Sequence, residues 1–85
     1  MFASNEEFYA YIDKLSTRLD AAGEAEWATA LRDAKGRGST GSEVLGNLLL
    51  ALKRLQAGKV PRRLGMQGEI RAVSADLGRL LRRWR

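Results

Sequence analysis

Apolar residues recur every three or four positions along four stretches of this chain, the period of an α-helix with one buried face. In the first stretch, Phe8, Ile12, Leu15 and Leu19 follow at intervals of four, three and four. Ser4-Asn5-Glu6-Glu7 precedes them as a capping box, in which the Ser4 hydroxyl accepts from the Glu7 amide. Gly23 is a natural stop, so a helix is predicted over residues 5–22. A shorter stretch, 24–35, opens on Glu24 and Glu26, carries Trp27, Leu31 and Ala34 as its stripe, and closes on Arg32 and Lys35, as the helix dipole favours. Its alanines Ala25, Ala28 and Ala30 leave room for a neighbour.

The third stretch, 41–57, starts at a second capping box, Thr40-x-x-Glu43. Val44, Leu45, Leu48, Leu49, Leu52 and Leu55 cover an arc of roughly 140°, wide enough to touch more than one helix. Gly58 and Val60-Pro61 end it. The fourth starts between residues 64 and 68 and runs to the end of the chain. Met66, Ile70, Val73, Leu77, Leu80, Leu81 and Trp84 fall within about 100°. No alternating run suggests a strand. Short connections favour antiparallel neighbours. The expectation is an all-α fold, a small antiparallel bundle of three or four helices in a single domain over 1–85, with the third and fourth helices as its packing centre.

Composition narrows the chemistry. The 85 residues include no Cys and no His, which removes disulfides, thiolates and imidazole bases and makes zinc a poor fit. Neither a catalytic arrangement nor a cofactor motif emerges: Glu6/Glu7 and Glu24/Glu26 sit at helix starts, and Ser39, Thr40 and Ser42 have no histidine base. The first residues carry early acids and no basic stretch before an apolar run, so a secretory signal is not expected there. The longest apolar run, residues 48–52, is too short to span a bilayer. A cytoplasmic protein is expected, and the excess of Arg over Lys with abundant Ala and Gly suggests a GC-rich bacterial genome.

Charge is polarised along the chain. Residues 1–52 hold eight acids and five bases, whereas residues 53–85 hold ten bases and two acids. Lys59, Arg62 and Arg63 gather near the last interhelical connection, and Arg71, Arg79, Arg82 and Arg83 lie opposite the apolar stripe of the fourth helix. Such a face suits an anionic partner, whether nucleic acid, membrane surface or acidic protein. Matching of charges to helix dipoles, and packing of the acidic first two helices beside the basic last one, accounts for the same residues without a partner.

Two loop motifs weigh little. Gly36-Arg37-Gly38-Ser39-Thr40-Gly41 has the glycine frame of a phosphate-binding loop, but Ser42 and Glu43 stand where Lys and Ser or Thr belong. It reads as an interhelical turn with a good cap. Ala34-x3-Gly38-x5-Val44 resembles the spacing of a helix-turn-helix, yet Asp33, Arg37 and Asn47 occupy positions that should be apolar, and no base lies over residues 41–52.

Leu50 stands off the main arc of the third helix, between Gly46 and Arg54 at helical spacing. If the other helices surround the third, Leu50 completes the core; otherwise it marks an interface, with Gly46 admitting a close neighbour. Gly46, Leu50 and Trp84 are therefore candidate interface residues, and Lys59, Arg62, Arg63, Arg71, Arg79, Arg82 and Arg83 candidate contacts to an anion. The reading favours a non-catalytic protein-protein interaction module, self-associating or with a protein partner. A sequence-nonspecific nucleic-acid binder is the alternative, and a membrane-surface role is third.

Overall fold

Side-chain caps set where the helices begin. Ser4 Oγ accepts from the Glu7 amide at 3.2 Å, and Thr40 Oγ1 from the Glu43 amide at 3.2 Å. In the computed structural model, which describes residues 4–38 and 40–83 apart from the Arg83 side chain, these caps open α1 (Asn5–Ala21) and α3 (Gly41–Ala57). Between them lies α2 (Ala25–Gly36). The C-terminus of α1 is a Schellman turn: Gly23 takes φ +83°, its amide bonds Asp20 O, and the Glu24 amide reaches back to Leu19 O at 2.8 Å.

The described residues form five helices rather than three or four. The extra one is a single turn, α4 (Val60–Arg63), where the sequence suggests only a connection. Pro61 at the start of a helix removes an amide that has no intrahelical partner there, so the residue taken as a break begins this turn. A second Schellman turn closes it. Gly65 takes φ +71°, its amide bonds Arg62 O, and the Met66 amide bonds Pro61 O at 2.7 Å. Pro61 and Met66 are both buried beside this turn. The last helix, α5 (Gln67–Arg83), starts inside the window that the spacing allows.

Packing follows chain order: α1 lies on α2, α2 on α3, and α3 on α5, with α4 tucked between α3 and α5. The centre is α3, which touches α2, α4 and α5, as its wide arc of leucines permits. Contrary to the expected pairing of the third and fourth helices as a joint centre, α5 lies to one side: its narrower stripe packs mainly on α3, and it meets α4 only lightly. Phe8, Ile12, Leu31, Leu48, Leu52 and Ile70 are fully enclosed in one core. Burying side chains of this size stabilises by about 1.5–3 kcal/mol each relative to exposure, before chain entropy is counted.

Three glycines depart from or refine the expectations. Gly58 is extended (φ −87°, ψ −174°), a conformation open to any residue, so it ends α3 without using glycine's freedom. A methyl on Gly46 would meet nothing within 4 Å among the described residues, so none of the described helices takes up the close approach that this glycine permits. Gly38 is the tight site: an added Cβ would lie 2.6 Å from the Val44 amide nitrogen.

Candidate functional site

Among the described residues, Leu50 is the one large apolar side chain left exposed, at 52%. It does not complete the core, because α3 is covered by α2, α4 and α5 on sides that leave its own direction open. Beside it runs a groove of about 440 Å³ between α2 and α3. Trp27, Ala30 and Ala34 line it from α2, and Leu50 and Ala51 from α3; Asp33, Arg37, Asn47 and Arg54 supply its polar atoms. The groove exists because the facing residues are small: three alanines cannot fill the space that larger side chains would close. The half-buried Trp27 ring extends toward the end of α3, where a methyl on Gly58 would meet it at 3.9 Å.

Trp27 is the participant that sequence reasoning placed only in a core stripe. The signal that could have found it is its position in the first turn of α2, one turn before Leu31, with alanine rather than a bulky residue on either side of the stripe. Gly46 does not line the groove, although it lies one turn before Leu50. Trp84 lies outside the described residues.

The basic residues do not act as one cluster. Arg63 pairs with Glu24, and Arg79 pairs with Asp76 on its own helix. Lys59 and Arg62 line a polar cleft of about 280 Å³ with Gln56 and Gln67, in which no carboxylate appears among the described residues. Arg71 and Arg82 are exposed on α5 and form none of the ion pairs found among the described residues. The Arg83 side chain lies outside the described residues. Among the described residues, Asp13 of α1 pairs with Lys35 at 2.8 Å and Asp20 with Arg32 at 2.7 Å, both on α2.

The helix-turn-helix spacing brings Gly38 against Val44, while Asp33 and Arg37 face solvent. In the loop that shares the glycine frame of a phosphate site, the Thr40 hydroxyl takes the Glu43 amide as a cap.

One cluster has perturbed titration. Tyr11 Oη donates to Glu69 Oε2 at 2.5 Å, and Arg18 bonds both Glu69 oxygens, at 2.7 and 3.3 Å. Burial and the bond to Glu69 raise the Tyr11 pKa, and the Arg18 bond lowers that of Glu69 despite some desolvation. The Arg18 pKa rises through the same bond. Each group is thereby held further in its neutral-pH form, the reverse of poising a group near pH 7 for proton transfer. The cluster fastens α1 to α5. Among the described residues, no group of three or more His, Cys, Asp or Glu could hold a metal ion, and no helix is long and apolar enough to cross a membrane. Comparisons of the chain with protein-family models, with curated proteins and with solved structures returned no match.

Proposed function

We propose that this chain is a non-catalytic interaction module that pairs with a second copy of itself across the α2–α3 groove. The observation that carries this reading is the exposed Leu50 beside a groove floored by alanines and Trp27. A two-fold interface must be self-complementary, each copy offering both a projection and a recess. Leu50 is the projection; the space between Trp27, Ala30 and Ala34 is the recess. The rim carries both signs of charge as well. Asp33, Arg37 and Arg54 form no ion pair among the described residues, so each is free to meet an opposite charge on the other copy. Aromatic and arginine side chains are the residues that most often anchor such contacts.

The test is light scattering across a dilution series. The native chain should run at twice its 9.4 kDa mass at high concentration. Leu50→Asp should run at the single-chain mass with helical circular dichroism unchanged, because that side chain is outside the core. A native chain that stays monomeric at every concentration, or a dimer indifferent to Leu50→Asp, overturns the reading.

A further inference from the structure

We infer that a strip of unpaired cations along α4 and α5 is a binding surface for the phosphate backbone of duplex nucleic acid, read without sequence preference. The strip begins at the cleft that Lys59 and Arg62 share with Gln67. Arg71 lies one turn beyond Gln67 on α5, and Arg82 stands eleven residues further, three turns and about 20° round the helix. All four cations are exposed and form none of the ion pairs among the described residues. From Gln67 to Arg82 the strip runs about 22 Å along the helix axis.

Two features select the partner. Between the two arginines this face carries small residues, the exposed Ala75 and the half-buried Gly78, whose carbonyl accepts from Arg82 Nε at 3.4 Å; Arg82 thus lies along the strip, and a backbone can come close over Ala75. A helix that lies on a membrane instead needs large apolar side chains on the face it presents, and this face has none among the described residues. The acids of α5 point away: Asp76 and Glu69 are about 140° and 160° round from Arg71, and each is engaged by an arginine. Among the described residues the strip also carries no exposed aromatic side chain on which single-stranded bases would stack, which favours a duplex backbone over unpaired strands.

Fluorescence anisotropy of a labelled random-sequence DNA duplex, titrated with the full chain over a range of salt, tests this. Four phosphate contacts give a slope of log K against log salt of about −3 to −4, roughly a hundredfold loss between about 50 and 200 mM salt. Arg71→Gln or Arg82→Gln should each make the slope shallower by about 0.9, for any duplex sequence. Lys14→Gln, which removes the same charge from an exposed position on α1, should leave the slope unchanged. Circular dichroism of each variant checks that it is folded. No binding at low salt overturns the inference, as does an equal effect from Lys14→Gln and Arg71→Gln. Binding to vesicles of anionic phospholipid without binding to duplex overturns it in favour of a membrane.

Discussion

Between α1 and α5, Tyr11 and Arg18 converge on the Glu69 carboxylate; between α2 and α3, which are neighbours in sequence, a groove stays open beside an exposed leucine. The first seam joins distant parts of the chain and is closed by charge-assisted hydrogen bonds that fix its register. The second is joined by a short turn that fixes its ends, and its facing side chains are too small to fill the middle. The difference separates a seam held by specific polar bonds from an apolar surface left open: residues at the first should matter to folding, and those of the open groove to association.

The sharpest contrast lies within α3. Leu48 is fully enclosed and Leu50, two residues on, is half in solvent. Leu48→Ala should cost about 2–5 kcal/mol of stability, the range for a buried leucine. Leu50→Ala should change the stability of the single chain by no more than about 0.5 kcal/mol. Urea denaturation at a concentration where the chain is monomeric compares the two, and a large loss from Leu50→Ala would mean that the groove is part of the core.

The closed seam predicts a smaller effect with its own pH dependence. Tyr11→Phe should cost on the order of 1 kcal/mol, since Glu69 keeps Arg18. Glu69 has a lowered pKa in the folded chain, so its contribution is present above the ordinary glutamate range near pH 4.5 and is lost as the pH falls through the folded value. Tyr11 has a raised pKa, so folding is favoured fully below pH 10 and weakens as the pH rises beyond it. Melting temperatures from pH 3 to 11 should therefore fall at both ends, and Tyr11→Phe should flatten the alkaline fall. An alkaline fall identical in Tyr11→Phe would remove Tyr11 as its source.

The smallest effect belongs to Gly46, one turn from Leu50. A methyl there meets nothing within 4 Å among the described residues, so Gly46→Ala should stabilise the monomer by about 0.5–1 kcal/mol through helix propensity alone. Thermal melting of the monomer measures it, and a loss of stability would reveal a neighbour that the packing does not show.

The sequence made the helices legible where one residue type has one physical use. Ser4 and Thr40 act as caps at the helix starts they mark, and Gly23 takes the left-handed turn expected of it. The single turn of α4 was hidden because Pro61 serves two uses, breaking one helix and starting another, and four residues show no period. Gly65 followed by Met66 was the available signal, a left-handed glycine and then an apolar residue. Less of the candidate sites was legible. The position of Leu50 off the leucine arc is visible in the spacing, but that α2 leaves a groove beside it depends on how closely two helices approach, which spacing does not encode. The arginines of α5 likewise read as a single face, whereas Arg79 is engaged by Asp76 three residues earlier and Arg63 by Glu24 from the far side of the chain.

The Glu69 clasp also bears on the order in which this protein folds. Contacts of α1 with α2, and of α2 with α3, join neighbours in sequence and need only short loops to close. Tyr11 and Glu69 are 58 positions apart, so their bond forms only after a much longer loop has closed, at a larger entropic cost. The α2–α3 pair should therefore assemble early, on the microsecond-to-millisecond scale of chains dominated by local contacts, and the clasp later. Hydrogen exchange that begins at the α1–α5 edge while α3 is still protected is the expected counterpart of that order.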